Sequence, residues 1–154
     1  YDVVRLGYNY RMDDIHAAIG LAQLEKIEAD LKQRAKVRYW YQDSLAGLSG
    51  VIVPFEYHEG FVTNYVFPIV LAPELSNFRD TIRNEMHENG IQTSIHYPAA
   101  HLFSIFSNSP RLPVTEYVSE SLITLPMYAS LSEAQVGYIA EILGLSVSTK
   151  LFND

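Results

Sequence analysis

Two imidazoles and one phenol lie close together in the segment 96–101 of this chain. His96 and Tyr97 end a stretch in which apolar and polar residues alternate, and His101 follows after Pro98. Residues at the end of a strand and in the loop after it are commonly presented to ligands. The segment is therefore a candidate ligand-binding site. The same residues are also compatible with an ordinary turn whose polar side chains hydrogen-bond to one another.

A second candidate site lies in the segment 7–12, which comes directly before a long helical pattern. The free backbone N–H groups at the start of a helix, together with the positive end of its dipole, can hold an anion. Asn9 and Arg11 can add side-chain donors, so a phosphate group is a reasonable ligand. The alternative is an ordinary helix start, in which Asp13 and Asp14 complement the dipole.

The sequence lacks the motifs of several other kinds of site. It contains five histidines and no cysteine, without an H-E-x-x-H pairing, so we expect no metal site. It has no glycine-rich phosphate loop, no Gly-x-Ser-x-Gly elbow and no Walker lysine. Its lysines fall on a charged helical segment and in the tail, where none resembles a buried amine: Lys26, Lys32, Lys36 and Lys150.

Length and charge narrow the classes of protein further. With 154 residues, the chain has the size of one domain or of a piece of a larger protein. Its net charge of −7 gives no attraction to nucleic acid or anionic lipid, and no apolar run could span a membrane. We therefore expect it to bind neither nucleic acid nor a membrane. The absence of cysteine and of a signal sequence predicts a cytoplasmic protein. Because the chain starts at Tyr1 without an initiator methionine, we expect a fragment.

The elements that must position these residues begin with a long helix, predicted from residue 12 to about residue 48. Apolar residues recur at spacings of three and four and predict one apolar face: Ile15, Ala18, Ile19, Ala22, Leu24, Ile27, Leu31 and Ala35. Such a helix would extend about 50 Å, farther than a domain of this size can cover. We therefore expect it to bend or to pack against something outside this chain.

Shorter elements follow the long helix. Strands are predicted at 51–53, 65–71, 91–96 and 123–125. In the strand 91–96, one face is predicted to be apolar and to consist of Ile91, Thr93 and Ile95. Helices are predicted at 73–89, 114–121 and 132–143. The last of these begins with the capping-box spacing at 132–135 and ends at Gly144, and its inward face is predicted to consist of Val136, Ile139, Ala140 and Leu143. Because Pro68 has no N–H to donate to a neighbouring strand, the strand 65–71 is expected at an edge or a bulge.

This order of elements predicts an α/β-class fold, more closely an α+β small domain. The long N-terminal helix is expected to be followed by a small antiparallel or mixed sheet packed with helices. The predicted organisation is an interface loop and linking helix at 1–48, a small domain at 49–145 and a tail at 146–154.

Four segments carry specific short sequences, in a fixed order along the chain. They are Asn-Tyr-Arg-Met with Ala-Ala-Ile-Gly at 7–24, Asn-Tyr-Val-Phe-Pro-Ile at 64–69, His-Tyr-Pro-x-x-His at 96–101 and Leu-Pro-Met-Tyr at 125–128. Together they resemble the C-terminal part of the DegT/StrS sugar-nucleotide aminotransferases, which depend on pyridoxal phosphate. The resemblance covers about residues 1–143 and implies the C-terminal domain of fold type I, the aspartate aminotransferase superfamily.

The resemblance implies roles for the two candidate sites. Asn9 would reach the cofactor phosphate of the neighbouring subunit, and Arg11 would brace the same loop. His96, Tyr97 and His101 would line the sugar-nucleotide side of the active site. The whole enzyme would be a homodimer that uses glutamate as its amino donor. Polysaccharide and secondary-metabolite routes are both compatible with such an activity.

The resemblance also implies a large N-terminal domain that this chain does not include. That domain would carry the Schiff-base lysine, which the reaction requires. We therefore expect the chain alone to be inactive and not to bind pyridoxal phosphate. One alternative is a sugar dehydratase of the same family with the same cofactor. Another is a non-catalytic module that dimerises or binds a partner.

Overall fold

The computed structural model describes residues 2–8, 10–58 and 60–151 of the chain. Within them lie the helices α1 (Asp14–Leu24), α2 (Ile27–Ser44), α3 (Arg79–Glu88), α4 (Pro113–Ser121) and α5 (Glu133–Leu151). The strands are β1 (Val51–Ile52), β2 (Phe67–Leu71) and β3 (Leu122–Leu125). Short 3₁₀ helices occupy Pro73–Phe78, Ala100–Leu102 and Ser104–Phe106. The predicted α/β-class fold is confirmed.

The three strands form one antiparallel sheet in the order β1-β2-β3. The expected edge position of Pro68 is wrong for the strand as a whole, because β2 is central. At Pro68 itself, however, β2 has a neighbouring strand on one side only. Pro68 lies opposite Thr124 of β3, whereas β1 pairs only with Val70 and Leu71. A proline is tolerated there because only one neighbouring strand is present at its position.

The core lies where α2, α3 and α5 meet the sheet. Its members include Tyr41 of α2, Ile69 of β2, Ile82 of α3 and Leu143 of α5, all fully buried. The predicted inward face of the last helix is confirmed, because its apolar residues are all buried: Val136, Ile139, Ala140 and Leu143. The helix continues past Gly144 to Leu151, which corrects the predicted end. Burial of Val147 on the following turn outweighs the glycine's helical cost of about 1 kcal/mol.

The predicted long helix is divided by a short break at residues 25–26 into α1 and α2. The helix is therefore interrupted once within its predicted length. Residues 2–8, 10–58 and 60–151 do not cover the predicted apolar face at α1, since α1 buries no residue and Ile15 and Ile19 are exposed. Helix α2 instead buries Val37 and Tyr41 in the core. No helix in the described ranges is long and apolar enough to cross a membrane.

The predicted strand 91–96 is wrong. Only Ser94 pairs with the sheet, by exchanging backbone hydrogen bonds of 3.1 and 2.8 Å with Thr124 on the free edge of β3. The predicted apolar face is correct for Ile91, which is buried in the core. The chain nevertheless leaves the sheet before Pro98, which has no N–H to continue the pairing. The segment is thus a loop that is fastened to β3 at one residue.

Candidate functional site

The His96 ring is oriented by the end of the sheet. Its Nδ1 atom lies 3.2 Å from the Ser94 hydroxyl and 3.2 Å from the Thr124 hydroxyl, and Thr124 is buried in β3. The Tyr97 ring meets the imidazole edge-on, with 5.0 Å between ring centroids. Within residues 2–8, 10–58 and 60–151, no group hydrogen-bonds to Nε2 of this ring. This nitrogen is available to a ligand.

Helix α4 holds the next two candidate residues. The Ser119 hydroxyl donates a 3.4 Å hydrogen bond to the backbone carbonyl of Tyr97, whose side chain is exposed. His101, on the 3₁₀ helix Ala100–Leu102, places Nε2 3.2 Å from Oε1 of Glu116. Glu116 and Ser119 are three residues apart and so lie on one face of α4. That face fixes both ends of the loop 97–101.

Glu116 has further partners besides His101. Its carboxylate accepts a 2.9 Å hydrogen bond from the backbone N–H of Leu112 and forms an ion pair with Arg111. The hydrogen bond from Arg111, followed by those from Leu112 and His101, lowers the pKa of Glu116 from 4.5 to about 2. Glu116 is therefore ionised at neutral pH, and it can only accept hydrogen bonds.

Sequence reasoning missed Glu116 and Ser119. An acidic residue in the first turn of a predicted helix signals interaction with the helix N-terminus, and Glu116 has that position. No sequence signal connects it with His101, which lies in a separate loop.

A cleft of about 540 Å³ opens beside His96. Its rim carries the phenols of Tyr65, Tyr128 and Tyr138 and the amide of Gln135. None of the described residues that line it is Asp, Glu, Lys or Arg. Phenol and amide groups combine hydrogen bonding with flat or apolar surface, so this cleft suits an uncharged ligand that has hydroxyl groups.

The predicted phosphate segment is only partly described. Asn9 lies outside the described residues. Arg11 is exposed, and no hydrogen-bond or ion-pair partner of it occurs in the part of the chain that the structure describes. The carboxylate of Asp13 accepts a 2.9 Å hydrogen bond from the backbone N–H of His16 and so caps α1. A carboxylate thus already occupies one of the N–H groups that this helix start could offer to a phosphate.

The two candidate segments are joined near the start of the chain. The Asp2 carboxylate accepts hydrogen bonds from the backbone N–H of Ser104, at 2.9 Å, and from its hydroxyl. The carbonyl of Val3 accepts a 3.2 Å hydrogen bond from the N–H of Ile105. Residues 2 and 3 are thus fastened to the 3₁₀ helix Ser104–Phe106, which follows His101.

The lysines lie away from these groups. Lys150 forms an ion pair with Glu85 at the far end of α5, and Lys26, Lys32 and Lys36 are exposed along the linking helices. None of the described residues of the cleft is a lysine. Arg11 could contact the phosphate of a cofactor such as pyridoxal phosphate, but no lysine among the described residues of the cleft could bind the cofactor covalently.

Comparison with known proteins gives a consistent result. Residues 1–144 match the DegT/DnrJ/EryC1/StrS aminotransferase family. A dTDP-4-dehydro-2,3,6-trideoxy-D-glucose 4-aminotransferase of Saccharopolyspora spinosa is 32% identical over 130 residues, which are 84% of this chain and 33% of that protein.

Two solved structures have the same fold. Helicobacter pylori PseC, an aminotransferase involved in the biosynthesis of pseudoaminic acid, matches with a TM-score of 0.84 at 22% identity, over 96% of this chain and 41% of PseC. Spr1654 of Streptococcus pneumoniae, in its PLP-form, matches with a TM-score of 0.77 at 26% identity, over 97% of this chain and 39% of Spr1654. The chain thus spans well under half the length of these proteins.

Proposed function

This chain belongs to the DegT/DnrJ/EryC1/StrS aminotransferase family, and from that premise we propose that it is the C-terminal part of a sugar-nucleotide aminotransferase. The whole enzyme would transfer an amino group from glutamate to the keto group of a nucleotide-linked sugar. Pyridoxal phosphate, when bound, supplies the electron sink for this chemistry. We propose further that the enzyme is a cytoplasmic homodimer.

The observation that carries the proposal is the arrangement of His96, Tyr97 and His101. The loop that bears them is fastened by hydrogen bonds to β3 and α4, so the three side chains start from a rigid support. His96 lines a cleft that has no carboxylate or ammonium group among its described residues, and Tyr97 and His101 follow it in the same loop. Such a cleft suits the hydroxyl-rich sugar part of a substrate. In the proposed enzyme this loop binds and orients the sugar.

Arg11 has a different proposed role. Its guanidinium is exposed and has no polar partner within the described residues, so it can bind or brace a phosphate in an assembled enzyme. We propose that Asn9 and Arg11 serve the cofactor phosphate of the neighbouring subunit. The amine that holds the cofactor would come from the part of the protein that its longer relatives possess, and the present chain alone would be inactive.

A labelling experiment tests the proposed reaction. The full-length protein is incubated with pyridoxal phosphate, L-glutamate labelled with ¹⁵N at its amino group, and a set of keto-sugar nucleotides. The product is analysed by mass spectrometry. An aminotransferase gives a sugar nucleotide in which the keto oxygen is replaced by a ¹⁵N-labelled amino group. Loss of water from the sugar without incorporation of label would instead identify the dehydratase, and no change in any substrate would contradict both activities.

Two histidine variants connect the reaction to the described loop. His96→Gln removes the ring that Ser94 and Thr124 orient, and we expect a loss of kcat/KM for the sugar nucleotide. His87→Gln is the matched control, because His87 is exposed on α3 and lies outside the cleft. Equal activities of the two variants would remove His96 from the substrate site.

A further inference from the structure

The pair formed by His101 and Glu116 is far less exposed than the pair formed by His16 and Asp13, whose side chains are 75% and 58% exposed. The side chains of His101 and Glu116 are nearly buried, with 10% and 11% of their surface exposed, whereas the Arg111 partner of Glu116 is 84% exposed. A hydrogen bond that is shielded from water in this way holds its geometry better than one on the surface. The pair thus joins the substrate loop to α4 through a rigid contact.

The chemistry of the pair determines which nitrogen of His101 carries the proton. Glu116 is held as a carboxylate by Arg111 and by the N–H of Leu112, and its pKa is correspondingly low. A carboxylate can only accept a hydrogen bond, so Nε2 of His101 must be the donor in the 3.2 Å contact. In the neutral ring, Nδ1 then has no hydrogen and is an acceptor. Within the described ranges no group hydrogen-bonds to Nδ1.

We propose that Glu116 is a positioning residue, which fixes His101 as the Nε2–H tautomer so that Nδ1 accepts a hydrogen bond from a sugar hydroxyl group. The part concerning the sugar rests on the proposed function. Glu116 does not touch the substrate in this account but acts through His101. Ser119, on the same face of α4, holds the other end of the loop at the Tyr97 carbonyl.

The tautomer can be measured on the chain itself, independently of any activity. Long-range ¹H–¹⁵N NMR spectra distinguish the two neutral forms of an imidazole, and His101→Gln assigns the signal. We expect the Nε2–H form of His101 in the unmodified chain and in Arg111→Ala, which keeps the carboxylate. In Glu116→Leu the carboxylate is gone, and we expect a mixture of both forms. An Nδ1–H form in the unmodified chain, or an unchanged single form in Glu116→Leu, would overturn the proposal.

Kinetics of the full-length protein test whether Glu116 acts through His101. We expect Glu116→Leu to lower kcat/KM for the sugar nucleotide roughly tenfold, the effect of losing one well-oriented hydrogen bond. Glu116→Gln keeps an acceptor oxygen for Leu112 and for His101, and should recover most of this loss. In a His101→Gln background, Glu116→Leu should cause no further loss.

The outcomes separate the possible failures. An equal loss from Glu116→Leu in both backgrounds would show a merely structural role and would overturn the proposal, as would full activity of Glu116→Leu alone. If the unmodified full-length protein transfers no amino group, the proposed function is contradicted and the sugar contact of Nδ1 falls with it. The NMR result alone then decides whether Glu116 positions His101.

Discussion

The hydroxyl of Tyr41 donates a 2.8 Å hydrogen bond to the backbone carbonyl of Pro126. Tyr41 is buried on α2 and its ring stacks on Phe67 of β2, with 4.6 Å between centroids. Pro126 begins the loop that follows β3 and borders the cleft. Arg34, two turns earlier on α2, donates a 3.1 Å hydrogen bond to the next carbonyl, that of Met127. The linking helix therefore positions one wall of the candidate site.

Tyr41→Phe is expected to destabilise the chain while leaving its fold intact. The ring and its stacking remain, but the Pro126 carbonyl loses its donor, which costs about 0.5–1.5 kcal/mol of unfolding free energy. Urea denaturation measures the change. Tyr39→Phe is the matched control, because Tyr39 is 67% exposed and should change the unfolding free energy little. Equal effects of the two substitutions would show that the buried hydroxyl contributes nothing.

The stability of the chain should depend on acid pH through Glu116. In the folded state its pKa is lowered from 4.5 to about 2, first by Arg111 and then by the N–H of Leu112. The unfolded state therefore binds the proton at a higher pH, so this carboxylate stabilises the fold above pH 4.5 and the contribution disappears as the pH falls towards 2.

Glu116→Gln has no charge to titrate, so its unfolding free energy should fall less steeply between pH 5 and pH 2 than that of the unmodified chain. Urea midpoints at several pH values give this comparison. Glu120→Gln is the control on the same helix, because Glu120 is exposed and has no hydrogen-bond or ion-pair partner within the described residues. Parallel curves for Glu116→Gln and the unmodified chain would contradict the assignment.

The isolated chain is expected to self-associate or to have low solubility. Its first helix leaves several large apolar side chains on the surface, among them Ile15, Ile19 and Leu24, which are 73%, 56% and 61% exposed. Ile15 and Ile19 share one face of the helix, whereas Leu24 lies on the opposite side. A helix with large apolar side chains exposed on both sides is normally covered by another domain or subunit. Sedimentation at increasing concentration measures the association.

Substitutions on that face sharpen the measurement. Ile15→Glu and Ile19→Glu should reduce association, because each places a charge on the apolar surface. Gln23→Glu adds the same charge at an exposed polar position of α1 and should have a smaller effect. A monomer at high concentration in the unmodified chain would contradict the prediction.

Asn9→Ala in the full-length protein is expected to weaken cofactor binding. Loss of one hydrogen bond to a charged phosphate costs about 1.5–3 kcal/mol, which is roughly a tenfold to hundredfold loss of affinity. Titration with pyridoxal phosphate measures this loss of affinity.

Mixing the Asn9→Ala variant with one that lacks the cofactor lysine tests the placement of Asn9 across subunits. A heterodimer would then have one intact site, so partial activity should return. Confirmed subunit exchange without any activity would contradict the placement.

Local patterns predicted the parts of the fold that depend on neighbouring residues. The spacing of Ser132 and Gln135 indicated a helix start. The backbone N–H of Ser132 indeed donates a 2.9 Å hydrogen bond to the Gln135 side chain, and the N–H of Gln135 donates a 3.3 Å hydrogen bond to the Ser132 hydroxyl. The period of the last helix likewise identified Val136 and Leu143 as buried. Both signals lie within one or two helical turns, where sequence distance determines spatial distance.

Contacts between distant segments could not be predicted in this way. The carboxylate of Glu116 meets His101 across 15 residues of sequence, and the apolar face of α1 could be recognised but not its partner. The strand pattern at 91–96 failed for the same reason, because pairing depends on which edge of β3 is accessible and only Ser94 reaches it. The candidate histidines were therefore predictable, whereas the residues that orient them were not.

The central claim is that this chain contributes substrate and phosphate contacts to an enzyme whose cofactor lysine lies outside it. Reduction with borohydride, followed by peptide mapping, tests this directly in the presence of pyridoxal phosphate. We expect the full-length protein to carry one pyridoxyl group on a single lysine outside residues 1–154, and the isolated chain to carry none in defined stoichiometry. A stoichiometric adduct at Lys26, Lys32, Lys36 or Lys150, or the absence of any adduct in the full-length protein, would contradict the account.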